Sequence, residues 1–267
     1  MFAEFSIILI GLVLGLLGAG GSIMTIPILV YLFKIPPVFA TSYSLMIVSF
    51  TSLLGVLVYI WNKNINISIA IKFLIPSLIS VYLTRSLIVK KIPNQIALCG
   101  HIFQKDYMVL FIFAVIMFGA ATAMIRNSKN TEVKISQNHV ATVTALSGIF
   151  LWLQAILIGL LTGIVGAGGG FLIVPTLTLF NKIKIKQAIG SSLLIITVNS
   201  LVGLITDLYS GIKIDIDFSI KLIFLSIIGL IIGLIISKYI NPNYLKKWFG
   251  YFVLITSVFI ILKEIFL

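Results

Sequence analysis

The stretch LGAGGSIMTIP, residues 17–27, decides how this chain folds, because it places three glycines inside an otherwise apolar run. A near copy, VGAGGGFLIVP, occupies residues 165–175. Glycine is the poorest helix former after proline, and a pair of glycines lets the backbone leave helical dihedral angles. The sequence therefore predicts an interrupted helix at both places.

The composition of the chain indicates a membrane protein. Of its 267 residues, 60% are hydrophobic and only 10% are charged, which is too apolar for a soluble core with a polar surface. Each membrane crossing needs about 20 apolar residues, so the length predicts an all-α polytopic protein with about eight segments. The predicted segments are 5–33, 38–61, 67–89, 107–126, 140–181, 187–210, 218–239 and 248–265.

The two halves of the sequence resemble one another. Residues 11–60 align with 159–208 without a gap, and 18 of the 50 positions are identical. With a shift of one residue the match continues more weakly, pairing Ser77 with Ser226. We therefore predict a first transmembrane repeat at 1–126, a polar linker at 127–139 and a second repeat at 140–267, with residues 140–152 as a lead-in stretch or an extra part-span.

The glycine-rich segments allow two topologies, since residues 5–33 are too long for one straight crossing and too short for two. If each segment crosses fully, the two repeats point the same way; if each is a re-entrant hairpin, the repeats are inverted. Lys and Arg residues divide between the two sides in the same proportion under both arrangements, so the positive-inside rule does not choose. We expect two units of four segments, each with its first helix broken at the GAGG motif.

The broken helices predict a binding site. In lipid, a break leaves backbone N–H and C=O groups without partners unless protein or a watery cavity supplies them, so each break should face inward. The helix restarts at about Ser22 and at Gly170, and a buried helix start attracts anions through its free N–H groups and dipole. Paired interrupted segments in two repeats are typical of a transporter's substrate site. The alternative is helix packing through the pairs Gly11/Gly15 and Gly159/Gly163.

Polar residues inside the predicted spans are the second indication of a site, because each is costly in hydrocarbon. Their alternative role is to bond a backbone carbonyl one turn earlier or to join two helices. Together with the glycine breaks they give a candidate substrate-binding set. It comprises Gly18, Gly20, Gly21, Ser22, Thr25, Ser44, Ser49, Ser52, Arg85, Gly166, Gly168, Gly169, Gly170, Ser192, Thr197, Asn199 and Ser200.

Charged residues are almost absent from the predicted spans. None of the seven carboxylates falls in the middle of a segment, which argues against a cation antiporter. Arg85 lies well inside segment 67–89, where it could attract an anion or extend to the level of Lys90 and Lys91. We favour the second role for Arg85.

Several function classes lack support in the sequence. There is no H-E-x-x-H motif, no G-x-S-x-G motif and no pair of mid-span carboxylates, so we expect no enzyme. The net charge of +12 is spread over short loops rather than gathered in a patch, so we expect no nucleic-acid partner. Cys99 is the only cysteine and has no ligand spacing around it, so we expect no metal and no cofactor.

The doubled motif carries a family resemblance. Each half opens with G-x-x-x-G-x-x-G-A-G-G-[SG] and reaches a proline five residues later. This pattern, in an eight-span chain, resembles the TauE/SafE family of sulfite and organosulfonate exporters. The resemblance implies secondary transport of small sulfur-containing anions across a prokaryotic inner membrane. The chain departs from the family's common triple glycine at Ser22 and places Arg85 opposite Leu234 of the other half.

These observations together predict an anion transporter that works by alternating access. N–H groups near Gly20–Ser22 and Gly168–Gly170 hold the substrate, hydroxyls from the partner spans assist them, and helix dipoles with Arg85 meet its charge. The expected partners are a small anion and the lipid bilayer, with a proton or the membrane potential as driving force. An anion-selective pore and a non-transporting membrane scaffold are the alternatives. The sequence leaves the oligomeric state open.

Overall fold

The computed structural model describes residues 2–18, 21–89, 95–98, 101–104, 145–166, 168–179, 181, 183–237, 239 and 242–266, and part of 111–125. The described residues of 111–125 are helical. The helices are α1 (Phe2–Leu17), α2 (Gly21–Tyr31), α3 (Pro37–Trp61), α4 (Ile67–Leu83), α5 (Ala145–Val165), α6 (Gly170–Leu179), α7 (Ile185–Tyr209), α8 (Ile216–Ile236) and α9 (Pro242–Phe266). Strands β1 (Gln95–Leu98) and β2 (His101–Gln104) pair antiparallel between α4 and the partly described segment.

The all-α, multi-pass membrane architecture is confirmed. Within the described part of the chain, five helices are long and apolar enough to cross a membrane, and three shorter apolar helices accompany them. Helix α5 begins at Ala145, so residues 145–152 are the first turns of a long helix rather than a separate part-span. The predicted linker 127–139 and residues 140–144 lie outside the described residues.

Both GAGG motifs interrupt a helix. Helix α1 ends at Leu17 and α2 begins at Gly21, whereas α5 ends at Val165 and α6 begins at Gly170. Gly18, Gly166, Gly168 and Gly169 have φ angles between +66° and +73°. A side chain in this left-handed region meets the following carbonyl, which is why glycine is needed at these turns.

Each broken segment turns back to the side of the bundle at which it starts. After α6, the amide of Asn181 donates at 3.4 Å to the side-chain oxygen of Gln154, which lies eleven residues before the end of α5. In the first half, Lys221 of α8 forms an ion pair with Glu4, and the ring of Phe33 packs at 5.6 Å from Phe218, one turn earlier on α8. The pairs α1–α2 and α5–α6 are therefore re-entrant hairpins, called here the first and second hairpin.

The two hairpins enter from opposite sides of the bundle. Helices α3 and α7 run antiparallel, since Ser42 bonds Asp207 and Ser52 bonds Thr197. The first hairpin ends beside the start of α3, which we call the proximal side, and the second ends beside the start of α7, the distal side. The halves are thus inverted, which is one of the two arrangements that the sequence left open. A run of about 30 apolar residues fits a tilted crossing and a hairpin equally well, so its length could not decide.

Each hairpin packs against the opposite half of the chain. A Cβ added to Gly159 of α5 would lie 2.5 Å from the carbonyl oxygen of Ser77 in α4, and one added to Gly11 of α1 would overlap the carbonyl of Ser226 in α8. Ser77 and Ser226 are the aligned positions of the two halves. The small residues of the GxxxG pairs therefore bring helix backbones together, as the packing alternative predicted, while the glycines of the GAGG motifs form the turns.

The end of α4 departs from regular α-helix. Residues Thr84–Val89 continue it as a π-helix, and Arg85 is the second residue of that turn. One extra residue per turn rotates the side chains that follow, and single π turns are frequent at functional sites. This turn points Arg85 into the bundle, toward the tip of the second hairpin.

Candidate functional site

The tip of the second hairpin faces α3. A Cβ added to Gly166 would lie 2.5 Å from Cβ of Thr41, and one added to Gly168 would lie 3.0 Å from Cγ1 of Val48. Ser44 stands between Thr41 and Val48 on the same face of the helix, at the i, i+3, i+7 spacing. Its hydroxyl is fully buried and has no hydrogen-bond partner. The tip, Thr41 and Ser44 thus form one wall of a buried region.

Helix α7 forms the opposite wall of this region. A Cβ added to Gly168 would lie 2.8 Å from the hydroxyl oxygen of Ser200 and 3.1 Å from Cγ2 of Ile196. Ser200, Gly203 and Asp207 follow on the same face, one helical turn apart. The hydroxyl of Ser200 is buried without a hydrogen-bond partner. This face therefore runs from an unpaired hydroxyl near the centre of the bundle to a carboxylate near its proximal end.

Arg85 fills the space between the two walls and is only 3% exposed. Its Nη1 forms an ion pair with Oδ2 of Asp207, and the hydroxyl of Ser42 donates to the same oxygen at 2.5 Å. Its Nε and Nη2, which lie along one edge of the planar guanidinium, have no partner. A Cβ added to Gly166 would lie 2.5 Å from Nη2, and a Cβ added to Gly203 would lie 3.7 Å from Nε. Two glycines therefore leave the free edge of Arg85 uncovered.

Unpaired donors are concentrated in this region. Among the described residues, five buried side-chain nitrogen or oxygen atoms lack a partner, and four of them belong to Ser44, Arg85 and Ser200. Leaving a buried donor unpaired costs about 1–3 kcal/mol, and more for a charged group. A guanidinium edge with two parallel N–H groups matches the oxygens of an oxyanion, and hydroxyls can complete its coordination. The arrangement is therefore suited to a small, dehydrated oxyanion.

Two expectations about charge were wrong. Arg85 does not extend to water at the level of Lys90 and Lys91, because its side chain is buried against Asp207. Asp207 is itself only 3% exposed, so one carboxylate does lie inside the bundle. The sequence signal was present, since Asp207 falls within the predicted segment 187–210. Because Asp207 lies three residues before the end of that segment, its position in the sequence did not indicate that it is buried.

The first break has different surroundings. A Cβ added to Gly18 would strike the side chain of Ile189, and one added to Gly21 would lie 2.3 Å from the carbonyl oxygen of Ile10 and 2.9 Å from Cβ of Leu14. Ser22 and Thr25 are buried in the first turns of α2, where the hydroxyl of Thr25 donates to the carbonyl of Gly21 at 3.4 Å. Gly20 lies outside the described residues. The first break is therefore lined mainly by apolar groups.

Most of the other candidate hydroxyls are already bonded. Those of Ser49, Ser52, Ser192 and Thr197 donate to backbone carbonyls about one turn earlier. Thr197 also bonds Ser52 at 2.9 Å, and the amide of Asn199 donates to Ser77 at 3.1 Å. These groups join helices, as the alternative role predicted.

The rest of the second turn completes the site. Gly169 packs closely on Thr162 of α5, and Gly170 is the buried first residue of α6. Helix α6 also contacts α2. The dipole of α6, which begins at Gly170, adds to the positive potential near the tip of the second hairpin.

A hollow lies next to the site at the proximal end. It has a volume of about 450 Å³ and runs between α4 and α7. Its walls include Ser86, Thr206 and Ser210, which neighbour Arg85 and Asp207 in sequence, and the exposed rings of Tyr82 and Tyr209. Val202 and Ile205 also line it, whereas Arg85 and Asp207 do not. Within the part of the chain that the structure describes, no group of His, Cys, Asp and Glu could hold a metal.

Comparison with known proteins gives a consistent result over nearly the whole chain. Residues 5–264 match the family described as "Sulfite exporter TauE/SafE". The chain is similar to a "probable membrane transporter protein" of Xylella fastidiosa (strain 9a5c), at 27% identity over 96% of this chain and 92% of the relative. A protein of the same description from Methanocaldococcus jannaschii is 28% identical over 90% and 88% of the two chains. No solved structure gives a significant match.

Proposed function

The chain belongs to the TauE/SafE family of membrane transporters, and on that premise we propose that it is a secondary transporter of small sulfur-containing oxyanions. Sulfite and organic sulfonates are the proposed substrates, because both present a compact group of oxygens with negative charge. The family description and the donor geometry around Arg85 support this choice. The observation that carries it is the buried, unpartnered edge of Arg85 beside the tip of the second hairpin.

The proposed site uses the groups that lack partners in the protein. The Nε and Nη2 groups of Arg85 donate two parallel hydrogen bonds to two substrate oxygens. The hydroxyls of Ser44 and Ser200 donate to the substrate from the facing walls, and N–H groups at the start of α6 approach it from the tip. The proposal thus keeps Arg85, Ser44, Ser200 and the glycines 166, 168, 169 and 170 from the predicted set and gives the bonded hydroxyls a structural role.

Burial of the site supports alternating access rather than a continuous pore. The donors are closed off from the proximal side by the Arg85–Asp207 pair and from the distal side by apolar packing around Ile189. An oxyanion can reach them only if one of these barriers opens. Inverted hairpins that enter from opposite sides allow the two barriers to open in turn, one with each half.

Transport by purified protein in liposomes tests the proposal. We expect saturable uptake of radiolabelled sulfite, which unlabelled sulfite or sulfoacetate inside the vesicles accelerates by counterflow. Arg85→Lys keeps the positive charge but removes the paired N–H edge, so its apparent affinity for sulfite should fall about tenfold or more. Flux that does not saturate, with no acceleration by counterflow, would indicate a pore. Absence of flux for every anion in the panel would favour a scaffold.

A further inference from the structure

The site contains a negative group of the protein that pairs with Arg85. Asp207 and Arg85 are both 3% exposed, and a buried charge is strongly unfavourable unless it is paired. A carboxylate presents two oxygens on a planar centre, which makes it chemically similar to the oxygens of sulfite or a sulfonate. The carboxylate of Asp207 pairs with Nη1 of Arg85 and leaves the Nε/Nη2 edge free. Asp207 and a substrate anion would therefore share one cation.

The opposite end of the site has no equivalent charge. The repeat alignment places Leu234 opposite Arg85 and Tyr59 opposite Asp207. Leu234 and Tyr59 are packed against a buried apolar cluster that includes Ile189 and Leu193. Ile189 in turn is the position aligned with Thr41. The bundle is thus closed by an ion pair at its proximal end and by apolar side chains at its distal end, although both ends derive from aligned segments.

We propose that Asp207 is a tethered competitor of the substrate and that the Arg85–Asp207 pair is the proximal gate. This inference rests on the proposed function. With Asp207 on Arg85 the pair is neutral, so the empty transporter closes without a buried unpaired charge. A bound oxyanion on the Nε/Nη2 edge neutralises the guanidinium, which weakens its attraction for Asp207 and releases the carboxylate toward the hollow beside Ser86 and Thr206. The distal gate opens by separating apolar groups, without an exchange of charges.

Ser42 stabilises the position in which Asp207 pairs with Arg85. Its hydroxyl donates to the same Asp207 oxygen that pairs with Arg85. Removing the hydroxyl removes one hydrogen bond to Asp207 and leaves the charges of Arg85 and Asp207 unchanged. Ser42 therefore offers a way to loosen the gate without a change in the net charge of the site.

The test is the affinity of Asp207→Asn for sulfite, measured with radiolabelled sulfite and purified full-length protein in detergent. Asparagine has nearly the same shape but no charge, so we expect about tenfold tighter binding and slower counterflow from the proximal side. Asp217→Asn, the same substitution at an exposed carboxylate in the first turn of α8, is the control and should leave both values unchanged. A merely structural role of Asp207 would weaken binding together with stability.

A second variant covers the case in which Asp207→Asn does not fold. Ser42→Ala retains the ion pair and should bind sulfite about threefold more tightly, since it removes one hydrogen bond to the competitor. Unchanged or weaker sulfite binding in a folded Asp207→Asn protein, or in Ser42→Ala, would overturn the inference while the wild-type protein still binds sulfite. If the wild-type protein binds and moves no oxyanion, the proposed function itself is wrong.

Discussion

Replacement of Gly166 by alanine tests whether the tip of the second hairpin leaves room for an anion at Arg85. Gly166 has φ +73°, which costs an L-residue about 1–2 kcal/mol. The new Cβ would lie 2.5 Å from both Nη2 of Arg85 and Cβ of Thr41, whereas ordinary contacts begin at 3.4 Å. Thr41 is fixed on α3, so both the tip of the second hairpin and the guanidinium must move by about 1 Å, and the free edge of Arg85 is displaced.

The displacement should appear in substrate affinity. A hydrogen bond to a charged group contributes about 1.5–3 kcal/mol, and each 1.4 kcal/mol corresponds to about a tenfold change in affinity. We therefore expect Gly166→Ala to bind sulfite at least about tenfold more weakly than wild type. Equilibrium binding in detergent and counterflow in liposomes measure this loss, and the unfolding temperature measures the backbone strain separately.

Two other glycines provide matched controls. Gly211 also has a positive φ, +88°, but a Cβ there would meet nothing within 4 Å, so Gly211→Ala reproduces the strain without the contact. Gly148 lies in α5 with open space around it, so Gly148→Ala should raise helix stability by about 0.5–1 kcal/mol. Neither control should change sulfite affinity. A Gly166→Ala protein with wild-type affinity and flux would refute the placement of the site at Arg85.

Five further substitutions separate binding from stability. Gly168→Val should abolish anion flux with the protein still inserted, because φ is +66° and a Cβ would lie 2.8 Å from the Ser200 oxygen; retained flux in liposomes would contradict this. Arg85→Gln should destabilise the protein by about 3–5 kcal/mol by leaving Asp207 buried and unpaired, and adding Asp207→Asn should recover most of it in thermal unfolding. Ser200→Ala should lower sulfite affinity by about fivefold without loss of stability, whereas Ser52→Ala, which breaks bonds within the protein, should lower the unfolding temperature.

The difference between the two ends of the site gives the repeat a functional meaning. Inverted halves would by themselves provide two equivalent barriers. Here Arg85 and Asp207 stand at one end, while Leu234 and Tyr59 stand at the other. In the proposed mechanism, only the proximal barrier responds to the charge of the substrate.

Local sequence patterns were sufficient for several parts of the structure. The apolar segments corresponded to helices because the length of an apolar run sets whether a helix can cross a bilayer. The helix breaks followed from glycine itself, since its positive φ angles need no tertiary contact to be favourable. The burial of the polar residues of α3 followed from the cost of placing a hydroxyl in hydrocarbon.

Other features depended on contacts between distant parts of the chain. The partners Arg85 and Asp207 are 122 residues apart, and no local pattern pairs them. The choice of a hairpin over a crossing depended on the position of Phe33 beside Phe218, which is a contact between the two halves. The π-helical turn that directs Arg85 inward was likewise not visible in the residues that form it.

By itself, therefore, the sequence determined that the chain is an all-helical membrane protein with two glycine-broken segments, because hydrophobicity and backbone freedom are properties of single residues and short runs. Tertiary structure alone decided which hydroxyls bond within the protein and which remain free, and which cation meets which carboxylate. The physical reason is that a donor is satisfied or left unpaired by its neighbours in space. At Arg85 those neighbours come from α3, α7 and the tip of the second hairpin.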